Sequence, residues 1–270
     1  MNNFYYNDFP WYVRAENESQ YLYASHKDAD WTCSEIDYEF SFDRDKKRLE
    51  IGHFTQGALE YFVSKYGKTY EYLYFNNATR IRDFSPLADL PELKSVAIDW
   101  CRAEKLWDMK NNIKLSNLWL SNAKKITYNL SDINSCKNLE NLLIAGDMDS
   151  PYPIRTFSPL VDMAHLKRID LIDVKSEDHD ISFLDTLSSL EEFHFDAGML
   201  TTEEIALICA KHPHLKGRSL GAYTTHFTLN DVRICGYRKP GLNLPEQQKQ
   251  FEKYIAEFNA LIDKYRKNNF

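Results

Sequence analysis

The sequence predicts an α/β fold that stacks short, similar segments into one continuous domain over residues 1–270. Three observations carry this expectation. A phrase is written twice, an apolar pattern recurs at a near-constant step, and a period-three apolar run precedes most copies of that pattern.

The doubled phrase is "FSPLADLPELKSVAIDW" (Phe84–Trp100) and, 73 residues later, "FSPLVDMAHLKRIDLID" (Phe157–Asp173). Seven of the seventeen positions are identical, and most others exchange one apolar residue for another. Aligning the chain on the leucine after each phrase exposes six cores. They start at Tyr70, Leu93, Leu115, Leu139, Leu166 and Leu190, in steps of 23, 22, 24, 27 and 24 residues. In each core, positions one, four and six are apolar, as in Leu93, Val96 and Ile98. Positions four and six share one face of a short strand because strand side chains alternate.

Upstream of most cores, apolar residues fall nine, six and three places before the anchor: Phe84/Leu87/Leu90, Leu130/Ile133/Cys136, Phe157/Leu160/Met163 and Ile181/Leu184/Leu187. Period three predicts a helical turn or a 3₁₀ segment behind each strand. No such segment buries both apolar sets alone, so neighbours must stack and share a core.

This pattern resembles the leucine-rich repeat family, whose consensus is LxxLxLxxN, and its "FSPLADLPEL" phrase is closest in style to bacterial internalin-type repeats. The resemblance covers residues 60–198 and implies a leucine-rich repeat solenoid. That is a curved right-handed coil with a parallel concave sheet, short helical or 3₁₀ convex segments and caps at both ends. Two features depart from the family: the consensus asparagine position holds Ala78, Cys101, Ala123, Asp147, Val174 and Gly198, and the 27-residue step implies an insertion around 147–155.

Residues 1–59 read as an aromatic N-terminal cap. Tyr5, Tyr6, Trp11, Tyr12, Tyr21, Tyr23 and Trp31 are placed to cover the first repeat, and 35–51 alternates like a hairpin turning at "DRDK". Residues 199–270 read as the C-terminal cap. Thr201 and Glu204 form a capping box opening a helix to about Lys211, "DVRICGY" reads as a strand, and a helix runs from about Pro245 to Lys267. Phe251, Tyr254, Ile255, Phe258, Leu261, Ile262 and Tyr265 lie along one stripe of that helix.

If positions four and six point inward, positions three, five and seven form lateral rows on the other face of the sheet. The aromatic anchors Tyr72, Tyr74, Trp100 and Trp119, with the aliphatic Leu143 and Asp99, mark the earlier strands. Arg168, Asp170, Asp173, Glu192, His194 and Asp196 charge the later ones. Aromatic anchors beside acidic groups suit a protein partner with an apolar knob and a basic patch. Three bland readings stand beside this one: the N-terminal aromatics fold over the early strands and bury Tyr72 and Tyr74, a loop shields Trp119, and Arg168 simply pairs with Glu192.

A net charge of -7 argues against nucleic acid or an anionic membrane as partner. No apolar run spans a bilayer, "MNNFYYNDFPWYV" lacks a signal-type leader, and five scattered cysteines suit reduced thiols. The expectation is a cytoplasmic monomer. Catalytic fragments fail on inspection. "GKT" (67–69) has Phe62 where a phosphate loop needs its first glycine, His212 and His214 lack an acidic partner at zinc spacing, and "EDHD" (177–180) suits a loop between repeats. Cys235 with His226 would need proximity that spacing cannot supply. The reading is a non-enzymatic protein-binding module without cofactor or metal. An immunity or inhibitor protein against a basic toxin and an internalin-like surface fragment are the alternatives.

Overall fold

A computed structural model describes residues 20–22, 30–41, 47–147, 149–226 and 229–267. It is a mixed α/β protein with a parallel sheet, and it divides into two compact units, Met1–Leu143 and Ile144–Phe270.

In the N-terminal unit, strands β1 (Gln20–Leu22), β2 (Arg48–Gly52), β3 (Tyr72–Asn76), β4 (Ser95–Asp99) and β5 (Asn117–Ser121) pair in parallel and in sequence order, and β6 (Asn141–Ala145), which begins in this unit, follows β5. The expected cores are the strands. Leu73, Phe75, Val96, Ile98, Leu118, Leu120 and Leu142 are all buried, each contributing about 1.5–3 kcal/mol relative to an exposed side chain. Backbone bonds recur at equivalent places, from Lys94 N–H to Glu71 O (2.7 Å), Ser116 to Lys94 (3.0 Å) and Glu140 to Ser116 (2.8 Å). The period-three runs are 3₁₀ helices at Ser85–Asp89 and Ser131–Ser135. Pro86 opens the first, where a missing N–H costs nothing.

One connection breaks this rhythm. Between β4 and β5 the third apolar place is taken by Asn112, which is fully buried. Its Nδ2 donates to the carbonyls of Leu87 (2.9 Å) and Leu90 (2.8 Å), and its Oδ1 accepts from Trp107 Nε1 (2.8 Å). A buried amide with three good bonds locks an irregular loop where no 3₁₀ helix forms.

The hairpin expected over 35–51 is corrected. Its first arm is a helix, α1 (Cys33–Ser41), and only its second arm, β2, is a strand. The reason lies just upstream. Thr32 Oγ1 accepts from Glu35 N–H (3.2 Å) while Glu35 Oε2 accepts from Thr32 N–H (2.8 Å), a capping box that starts a helix. Ile36 and Phe40 then fall one turn apart and are buried. Asp37 of α1 accepts from Lys65 (2.7 Å) and Tyr66 (2.6 Å) at the end of α2 (Gln56–Lys65) and from Tyr61 (2.9 Å) one turn earlier in it. The Lys65 and Tyr66 bonds hold its carboxyl down at about 2. Trp31 is buried, with its indole N–H on Gly52 O (3.1 Å). Tyr5, Tyr6, Trp11, Tyr12 and Tyr23 of the expected aromatic cap lie outside the described residues.

In the C-terminal unit, β8 (Arg168–Ile172) and β10 (Glu192–Phe195) pair in parallel. The expected insertion supplies β7 (Tyr152–Ile154), which pairs with β9 (Val174–Ser176). Gly146 precedes it because a Cβ there would sit 2.0 Å from Asp173 O. The 3₁₀ helices Ser158–Leu160 and Ser182–Thr186 match two more period-three runs. Helix α4 (Thr202–Lys211) opens on the Thr201–Glu204 capping box. It is followed by an antiparallel sheet of β11 (Tyr223–Thr224), β12 (Val232–Ile234) and β13 (Gly241–Leu242), then by α5 (Gln248–Lys267). Along the α5 stripe Phe258 is fully buried and the other six residues are half-buried, while Phe251 and Tyr254 pack on Val232, Ile234 and Leu242. Among the described residues no helix is long and apolar enough to cross a membrane.

Candidate functional site

The lateral rows read from the sequence are the rows of the sheet. Tyr72 faces Ser95 and Ser95 faces Asn117, Tyr74 faces Ala97 and Ala97 faces Trp119, and in the other unit Arg168 faces Glu192 and Asp170 faces His194. What the rows expose differs from expectation.

In the N-terminal unit the fifth-position row is Glu50, Tyr74, Ala97, Trp119 and Leu143, and every member is buried. Tyr74, Trp119 and Leu143, expected as an open contact surface, are therefore corrected to interior positions. Tyr74 and Trp119 stand two strands apart, about 9.6 Å by strand spacing, yet their rings stack at 5.8 Å with planes 8° apart. They can do so because Ala97, between them, leaves the space above its methyl to the two rings. Tyr72 is half-buried, with the Arg48 guanidinium 4.6 Å from its ring centre.

In the C-terminal unit the same positions hold a closed ring of charge. Asp170, 1 % exposed, accepts from Arg168 Nε (2.6 Å) and from Arg218 (3.5 Å). Arg168 also donates to Glu192 (2.8 Å), which bonds His194 Nε2 (3.0 Å). The N–H of Arg218 donates to His194 Nδ1 (3.2 Å), which leaves the proton on Nε2 to be given to Glu192. That bond from His194, ahead of the Arg168 charge, holds the Glu192 carboxyl below its usual range. The expected Arg168–Glu192 pair forms, within a network whose members satisfy one another.

Arg218 was not read from the sequence, although a signal was there. It lies 24 residues after His194, the step of the repeats, and Lys216 bridges Glu192 as the next strand would. The apolar positions that should announce this copy are Gly217 and Ser219. Glycine is required because a Cβ would lie 1.9 Å from Phe193 O, and Ser219 Oγ donates to Phe195 O (2.6 Å).

The strand ends form a third set. The residue closing each strand turn is left-handed at His53, Asn77, Trp100, Asn122 and Asp173. Asparagine and aspartate tolerate that conformation and tryptophan does not favour it. Trp100 nevertheless occupies it at φ 52°, and it is 51 % exposed. Beside it Asp99 accepts from Asn122 (3.1 Å) and Tyr74 (3.5 Å), and burial raises its carboxyl.

In the C-terminal unit Asp173 is pushed up to about 6 by burial and by the charges of Asp196 and Asp147. Asp196, itself raised by burial, accepts from Asp173 N–H at 2.5 Å.

The five cysteines are free thiols. Burial pushes Cys235 up to about 12, so at neutral pH it is protonated and a poor nucleophile. Gly67 of "GKT" is buried, where a Cβ would press within 2.9 Å of Leu90. His212 bonds Asp185 (2.9 Å), and burial lowers its basicity. Among the described residues no three His, Cys, Asp or Glu are grouped to hold a metal.

No protein-family model matches the chain, and no curated protein matches it.

Proposed function

We propose that the chain is a leucine-rich repeat solenoid serving as a non-enzymatic protein-binding module in the cytoplasm, and that Trp100 anchors its partner. One observation carries this reading: a half-exposed tryptophan holds a left-handed turn where Asn77, Asn122 and Asp173 occupy the equivalent place. Folding alone favours asparagine there, by about 1 kcal/mol. An exposed residue that works against its own backbone points to use rather than architecture, and tryptophan is the side chain most enriched among interface anchors. The adjoining Asp99 and the net charge of -7 suit a partner with a basic rim around its apolar contact. The charged ring around Asp170 is internally satisfied and serves the scaffold.

The test is Trp100→Asn. Thermal denaturation should show stability equal to or above wild type, while affinity capture followed by mass spectrometry should lose a partner that wild type retains. Equal retention would remove Trp100 from the contact and with it this assignment.

A further inference from the structure

A surface cavity of about 690 Å³ opens in the N-terminal unit beside the irregular connection between β4 and β5 and the helix α3 (Lys124–Asn129). Its walls carry both signs of charge, but the two signs are not equally committed. Asp83 accepts from the N–H and the hydroxyl of Ser85, both at 2.8 Å, and Glu104 pairs with Lys125 at 2.6 Å. The guanidinium groups of Arg82 and Arg102 and the ammonium of Lys105 make no ion pair or hydrogen bond with a carboxylate among the described residues. Arg82 stands near enough to Glu104 for its charge to help lower that carboxyl, but it makes no direct bond to it, so three cationic heads on one cavity keep their donors open in a chain of net charge -7.

The backbone adds a second observation. Leu130, which ends α3 directly after the lining residue Asn129, is left-handed at φ 48°. A leucine in that region costs about 1–2 kcal/mol, and such strain concentrates where a loop is shaped for binding. The helix α3 is an addition ahead of the 3₁₀ helix Ser131–Ser135, and the Asn112-locked loop is the connection where no 3₁₀ helix forms.

We propose that this cavity binds a phosphomonoester. Two guanidinium forks and an ammonium match a dianion that offers three oxygens, and a monocarboxylate would leave cationic donors unused. The Asn129 amide supplies a further donor. Asp132, a lining carboxylate whose side chain has no partner among the described residues, would repel bare phosphate and accepts instead from a hydroxyl or amide N–H carried by the esterified group. The ligand is thus an organic phosphate with a neighbouring donor. A free sugar phosphate and a phosphorylated serine in a polypeptide share that chemistry. The assignment stands independently of the role given to Trp100.

The experiment titrates the ¹⁵N-labelled full chain with inorganic phosphate, ribose 5-phosphate and a phosphoserine peptide. The expected result is saturable shifts confined to amides near 101–105 and 129–132, with Kd below about 1 mM for at least one ester and weaker binding of inorganic phosphate. The exposed pair Arg82→Ala/Arg102→Ala should weaken binding roughly tenfold or more while leaving the remaining resonances in place. Tighter binding of the sugar phosphate assigns the site to a free metabolite, tighter binding of the peptide to a modified polypeptide, and either supports the site. Non-saturating shifts, shifts scattered over other basic residues, or unchanged affinity in the double variant would overturn it.

Discussion

The fifth position of the strands does opposite things in the two units. In the N-terminal unit, past a buried Glu50 that accepts from Asn76, it holds Tyr74, Ala97, Trp119 and Leu143, an apolar layer in which two rings stack over a small residue. In the C-terminal unit it holds Asp170 and His194, with Arg218 a further step along, a layer of charges tied into a ring. Both layers are largely withdrawn from water, so burial alone does not separate them. The energetics do. The apolar layer gains from every ångström of contact, whereas the charged layer offsets a desolvation cost and holds only while every partner is present.

The largest expected effect tests the apolar layer. Trp119→Ala removes a buried indole that stacks on Tyr74, and denaturant unfolding should show a loss of about 3–5 kcal/mol. A loss under about 1 kcal/mol would mean that the stack is incidental. Asp170→Ala comes next. It strands Arg168 and Arg218 without their shared carboxylate, and the expected loss is about 3 kcal/mol. If Asp170→Ala proves harmless, the ring is not cooperative and the contrast between the layers fails.

Asn112→Leu asks whether one polar lock can be replaced by the apolar residue that the pattern calls for. It frees the carbonyls of Leu87 and Leu90 and the Trp107 N–H, and melting should report a loss of about 2 kcal/mol. Stability at or above wild type would show the amide to be dispensable.

The smallest effect is set by pH. Asp173 has a raised folded-state pKa, so its ionisation opposes folding. The penalty is absent below the unfolded value near 4, grows as pH rises, and is complete above about 6. Asp173→Asn, which suits the left-handed backbone there, should therefore raise stability above pH 6. A gain of about 1 kcal/mol is expected once solvent screening of this half-buried group is allowed for. At pH 4 the variant should match wild type, and an equal gain at both values would point to backbone rather than charge.

The strands were legible because their signal is local and repeated. Anchors such as Leu93 and Leu166, with apolar residues at positions four and six, define strand, register and lateral row together. The Thr201–Glu204 capping box and the α5 stripe were legible for the same reason. The helix α1 was missed because "EIDYEFSF" alternates like a strand, while the deciding bonds from Thr32 to Glu35 sit just before it. Arg218 was missed because Gly217 and Ser219 replace the apolar marks of the repeat, and Gly217 does so where the backbone of Phe193 leaves no room for a Cβ.

The sequence by itself determined which residues share a strand, which face neighbours across the sheet, and where Asp170 meets His194. Those follow from side-chain alternation and a constant step, and need no knowledge of remote contacts. Only the tertiary structure decided that Tyr74 and Trp119 lie inside while Trp100 lies outside, and that Arg168 is spent on Asp170 and Glu192 while Arg82 and Arg102 are not. Burial and pairing depend on which groups distant in the chain are brought within a few ångströms, and a one-dimensional period carries no record of that.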